Sequence, residues 1–181
     1  MYKIIILLSS IFISSITQPV FADTVAAPTF TLTTNAFLDE GILPVIFTCD
    51  GKDISPQFEW SNVPAKTKAF AFILADHDAP GGTFYHWVLY DIPANTTSLA
   101  EGVDKLPAGT KIGKNNFAKS KYNGPCPPKG AAHSYIFTLY ALDATLNVPT
   151  NADGSNVLEA MKNHVLGQAK LTTVYSRWIN A

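Results

Sequence analysis

The chain has 181 residues, of which 47% are hydrophobic and 15% charged, with a formal net charge of −1. That length and apolar content suit one domain with its own core, and the near balance of charge argues against a nucleic-acid or membrane surface. Arg177 is the single arginine, so an anion site must draw on lysine, histidine, hydroxyls or backbone N–H groups.

Met1-Tyr2-Lys3 leads into an apolar run from Ile4 to Ile16 broken only by serines, and Val20-Phe21-Ala22 precedes the first acid, Asp23. One positive charge, a short apolar core and a V-F-A cleavage site predict a signal peptide over 1–22 and a mature domain over 23–181. The run of about 13 residues falls short of the roughly 20 that span a bilayer, and no cysteine near the cleavage point could carry a lipid. A periplasmic or secreted protein without a transmembrane segment is expected. Loss of Lys3 leaves 12 basic against 14 acidic residues, a net charge of about −2. Cys49 and Cys126 therefore sit in a setting that permits a disulfide.

Strand patterns dominate as far as residue 143. TFTLTT (29–34) alternates, and KAFAFILAD (68–76) is apolar on both faces, as a central strand would be. YHWVLYDI (85–92) and HSYIFTLYAL (133–142) are aromatic and β-branched between turn formers, and read as buried strands. From Pro93 to Ala132 the chain is turn-rich; Phe117, Tyr122 and the rigid Pro127-Pro128 argue that this long connection is ordered. NADGSNVLEAMKNHVLG then places Val157, Leu158, Met161 and Val165 at helical spacing, with Ser155 as the expected N-cap and Gly167 as the stop. AKLTTVYS (169–176) returns to alternation. The pattern predicts a mainly β fold, two antiparallel sheets with one or two late helices.

Chemistry concentrates in DHDAPGGTFYHWVLYDIP, residues 76–93. Alternation places Phe70, Phe72, Leu74 and Asp76 on one face of a strand, and His86 with Val88 and Tyr90 on one face of the next. A hairpin through Ala79-Pro80-Gly81-Gly82 brings Asp76 and His86 to the same end of a sheet. Four readings are open. The first is a turn whose acids accept backbone N–H bonds. A second is a metal site, although no ligand spacing here has the tightness of a strong zinc motif. The third is a hydrolase using His133-Ser134, which strand alternation opposes because adjacent side chains face opposite sides, and no G-x-S-x-G elbow is present. The fourth is a small anion pocket from His86, His133 and Tyr135, with Asp76 fixing a histidine tautomer and Gly-rich loops adding N–H groups.

Four segments in order, CDGKDISPQFEW (49–60), DHDAP (76–80) with HW (86–87), GPCPPKGAAHSYIFTLYAL (124–142) and HVLGQAKLTTVYSR (164–177), give the chain its resemblance to the phosphatidylethanolamine-binding proteins, in particular the bacterial Raf kinase inhibitor-like branch. The resemblance implies a fold of two antiparallel sheets with C-terminal helices, and a non-catalytic pocket for phosphate or a phospholipid headgroup at Asp76, Asp78, Pro80, His86, Gly124, His133 and Tyr135. No cofactor and no metal are implied. Inhibition of a protease or kinase through surface loops is the alternative, a hydrolase the third, and a homodimer is one assembly open to such a chain. Cys49 and Cys126 lie in loop segments of the family pattern and are expected to pair. Two positions depart from that pattern: His77 stands where the family usually has proline, and Ser134 where it usually has arginine. The second departure puts any salt bridge or partner contact of that arginine in doubt, and kinase inhibition does not transfer.

Overall fold

The computed structural model describes residues 28–149 and 151–178. The predicted signal peptide lies outside them. Among the described residues, nine strands and one α-helix form a mainly β fold of two sheets, as expected: β1 Thr31–Thr33, β2 Gly41–Ile42, β3 Phe58–Ser61, β4 Ala69–Asp76, β5 Phe84–Pro93, β6 Ser98–Leu99, β7 Lys111–Ile112, β8 Ala132–Leu142, α1 Gly154–Met161 and β9 Val165–Ser176. The smaller sheet has the order β1-β3-β6 and the larger β2-β9-β8-β4-β5-β7. One pairing departs from the antiparallel expectation, because β2 runs parallel to β9, with Gly41 opposite Thr173.

Strand β4 explains the layering. All eight of its residues are buried, so both of its faces need cover. Phe70, Phe72 and Leu74 face the smaller sheet, packing in one core with Leu32, Phe58 and Trp60. The Phe58 ring centre stands 4.9 Å from that of Phe72 and 4.8 Å from that of Phe137, which ties the two sheets together. Ala71, Ile73 and Ala75 face the other way, into a second core with Val157 and Met161 of α1. Burial of this kind, at roughly 25 cal/mol per Å² of apolar area, is what holds the three layers.

The helix differs from the sequence reading at both ends. Its N-cap is Asp153, not Ser155: the Asp153 carboxylate accepts from the Asn156 N–H at 2.9 Å, and the Asn156 side chain accepts from the Asp153 N–H at 3.2 Å. This reciprocal pair satisfies two orphan donors at once, which Ser155, already the second residue of the helix, could not. The helix stops at Met161 instead of running to Gly167, and His164 already lies beyond it, bonded to Asp143 at 2.8 Å. Gly167 belongs to β9, where a Cβ would stand 2.9 Å from the Pro64 ring, so close packing is the reason for glycine there.

Candidate functional site

Asp76 is the last residue of β4, beside Tyr135 of β8 and opposite Phe84 of β5. On β8, His133, Tyr135 and Phe137 follow period-2 alternation onto one face, and Ser134 points elsewhere, as the alternation predicts. The His133 Nδ1–H donates to Asp76 Oδ2 at 2.8 Å, and both side chains are buried. That bond fixes the imidazole orientation and leaves Nε2 free.

His86 reaches the same place by a device that alternation alone does not give. Leu74 pairs with Trp87 and Ala75 with Tyr85, so His86 has no opposite partner and forms a bulge in β5. An extra residue reverses the facing of what precedes it. His86 therefore does not share a face with Val88 and Tyr90, which pack in the second core. It sits against Tyr135 at 5.3 Å and Phe84 at 5.0 Å between ring centres. Its Nδ1–H donates to the carbonyls of Asn123 at 2.9 Å and Gly124 at 3.1 Å. Burial pushes its pKa down; the bond to Asn123 and the nearby Asp76 charge oppose that shift.

These groups surround a cavity of about 210 Å³, lined by Asp76, His86, His133, Pro80 and Ala79 together with Phe84, Phe117, Cys126, Pro127 and Pro128. The polar groups form its floor and the aromatic and proline residues its rim. A volume below the roughly 300 Å³ of the smallest drug-type pockets suits a small headgroup. Of the seven residues read from the sequence, Asp76, Pro80, His86 and His133 line the cavity. The other three stand behind it. Asp78 accepts from the Ser134 N–H at 2.7 Å and donates its own N–H to Asp76 at 2.8 Å, joining the turn to β8. Gly124 supplies one of the carbonyls that hold His86, and a Cβ there would stand 2.1 Å from the Phe47 carbonyl oxygen, so only glycine fits. Tyr135 is fully buried and its hydroxyl makes no hydrogen bond of good geometry, although the Asp76 carboxylate is a polar neighbour. Burial pushes that hydroxyl far above its ordinary pKa, so it is a donor at any working pH.

The supporting shell was not legible in the sequence. Asp53 accepts from the Gly124 N–H at 2.6 Å and from the Asn123 side chain at 3.1 Å. Asn115, buried, donates to the His86 carbonyl at 3.2 Å and to Asn123 Oδ1 at 2.9 Å, and accepts from the Phe117 N–H at 3.0 Å. One asparagine thus connects the histidine strand, the 123–124 peptide and the aromatic rim. Asn and Asp bonding to nearby loop backbone is a known habit of these residues, but nothing in spacing says which strand such a loop will meet. Cys49 and Cys126 form a disulfide with Cα atoms 5.4 Å apart, which ties the rim to the loop before β3.

Comparison with known proteins agrees with this architecture. The family model for phosphatidylethanolamine-binding protein matches residues 33–176. A UPF0098 protein of Methanothermobacter thermautotrophicus is 46% identical over 149 residues, covering 81% of this chain and 98% of the relative. A Mycobacterium tuberculosis relative named as a lipoprotein, LppC, is 36% identical over 151 residues, covering 83% of this chain and 74% of its own. The crystal structure of Escherichia coli YbcL, described as a new member of the mammalian PEBP family, superposes with a TM-score of 0.77 at 32% identity, over 82% of this chain and 99% of that one. The chain belongs to the phosphatidylethanolamine-binding protein family. Among the described residues, no helix is long and apolar enough to cross a membrane.

Proposed function

We propose that this protein is an exported, non-catalytic binding protein whose cavity takes a small phosphate-like anion, free or as a phospholipid headgroup. The observation that carries the reading is the convergence of His86, His133 and Asp76 on the floor of one small cavity with an apolar rim. Imidazoles oriented by a carboxylate or carbonyls are suited to phosphoryl oxygens, and the rim suits the carbon side of a headgroup.

A non-catalytic role is supported by what lies next to the histidines. Ser134 turns away, with its N–H held by Asp78, and the Cys126 sulfur is in a disulfide, so neither can serve as a nucleophile to His133. Export rests on the residues before Asp23, and the lipoprotein name of LppC is in keeping with a place outside the cytosol for that relative. Intact mass of protein recovered from the cell envelope should begin at Asp23.

Calorimetric titration of inorganic phosphate and phosphoethanolamine tests the site. A charge-assisted hydrogen bond contributes roughly 1.5–3 kcal/mol, so His86→Ala and His133→Ala should each weaken binding about ten- to a hundredfold. His164→Ala, whose partner is Asp143 far along the sheet edge, should bind as the wild type does. Unchanged affinity in both pocket variants overturns the assignment.

A further inference from the structure

We infer that the pocket selects a phosphate that brings its own proton, the monoanion of a monoester or of inorganic phosphate, over a fully esterified phosphodiester. The inference rests on the anion-binding reading above and concerns which anion fits. It follows from how His86 is bonded. Both partners of its Nδ1 are backbone carbonyls, which only accept, so the ring proton is held at Nδ1. Reversal of the tautomer would set a lone pair against two carbonyl oxygens. The carbonyls cannot swing aside, because Asp53 holds the Gly124 N–H and the Asn123 side chain while Asn115 holds Asn123 from the other direction. His86 lines the cavity, and the one polar ring atom left for a ligand is Nε2, an acceptor in the neutral imidazole.

The charges around His86 do not favour a second negative charge either. Asp76 faces it from β4, His133 and Tyr135 from β8, and Asp53 from the loop before β3. Even with His133 protonated, the Asp76–His133 pair is no more than neutral. Among the described residues, no lysine or arginine lines the cavity. Burial also disfavours the imidazolium form of His86. A monoester phosphate, whose second pKa is near 6, can donate its P–O–H to His86 Nε2 while another of its oxygens accepts from the Nε2–H of a protonated His133, whose Nδ1–H stays on Asp76. A diester has no such proton, so it either leaves His86 Nε2 facing an oxygen with no proton between them or must charge a buried imidazole. The chemistry favours inorganic phosphate, a soluble monoester, or a lipid ending in a phosphomonoester over a lipid whose headgroup phosphate is a diester.

The test uses the wild-type protein with methyl phosphate, dimethyl phosphate and dihexanoyl phosphatidic acid as probes. At pH 6, methyl phosphate should bind at least tenfold more tightly than dimethyl phosphate. Its affinity should fall about tenfold per pH unit above roughly pH 6, as the monoanion is lost. Tighter binding of phosphatidic acid than of methyl phosphate would assign the monoester to a lipid, and equal or weaker binding to a soluble compound. Side-chain ¹⁵N shifts of His86 in the free protein should give a protonated Nδ1 and a bare Nε2. Dimethyl phosphate binding as tightly as methyl phosphate, or a proton on Nε2, overturns the inference and leaves the anion site standing. Failure of every phosphate to bind overturns both.

Discussion

Strand β4 and the segment from Lys114 to Gly130 both border the cavity and are ordered by different means. β4 is apolar from Ala69 to Ala75, buried on both faces, and placed by side-chain packing between two cores. The 114–130 segment contains no strand, yet it is fixed at many points: Asn115 and Asp53 through side-chain bonds, Tyr122 through its hydroxyl donating to the Phe47 carbonyl at 2.7 Å, and Cys126 through its disulfide. Packing in β4 is redundant, since many neighbours share each contact. Polar and covalent ties in the loop are individually specific, and those of Asp53, Asn115 and Cys126 act on His86 or on the cavity's lining. Packing in β4 away from Asp76 can therefore be weakened with less effect on the ligand site than a change in the loop's ties.

The largest change expected tests the sheet. Phe72 is fully buried among Phe58, Trp87 and Phe137. Phe72→Ala should lower unfolding stability by about 3–5 kcal/mol in urea, while the molecules that remain folded bind phosphate normally. Loss of phosphate affinity in the folded fraction would erase the distinction drawn here.

Replacing both cysteines, Cys49→Ala with Cys126→Ala, tests the loop. The bond closes a span with a sequence separation of 77, and its removal should cost about 2–4 kcal/mol. Unlike the core variant, it should also weaken phosphate binding, because Cys126, Pro127 and Pro128 form part of the rim. Calorimetry on the folded double variant distinguishes the two outcomes.

The smallest effect belongs to Asp50, at the start of the loop that carries Asp53. Arg177 approaches its carboxylate at 2.9 Å and the Tyr175 hydroxyl at 2.8 Å, and these two bonds hold its pKa below the ordinary carboxylate value. A depressed folded-state pKa gives stability that is present above the unfolded-state value near 3.9 and lost as pH falls through the folded one. Arg177→Met should therefore melt earlier than the wild type at pH 7, by less than either change above, because the pair is only partly shielded from solvent. The gap should close as pH falls through 4 toward 2.

Much of the fold and half of the site were readable from residues. Period-2 alternation located β4, β5 and β8, and on β8 it also gave the common facing of His133 and Tyr135. It failed at His86 because a bulge changes facing without changing composition, and no residue in YHWVLYDI marks where the extra one falls. The cap at Asp153 was missed because DGSN offers three capping residues in four positions, and tertiary context chooses among them. Asp53 and Asn115 escaped for a different reason. Their partners lie 71 and 29 residues away, at Gly124 and His86, and loop-to-strand bonds of that span leave no periodic trace.

The short strands at the margins of the fold bear on how the molecule behaves in a crowd. The larger sheet ends in two-residue strands, Gly41–Ile42 on one side and Lys111–Ile112 on the other, and the smaller in Thr31–Thr33 and Ser98–Leu99. A template for adding a strand from another chain needs a long row of unpaired N–H and C=O groups, and none of these margins provides one. The twelve-residue β9 would be such a row, but the segment 39–43 covers it from Thr172 to Val174: Asp39 accepts from the Thr172 N–H, Glu40 donates to the Thr172 carbonyl and Leu43 to that of Val174. Over these stretches the sheets offer no row of free backbone groups to which a strand of another chain could add.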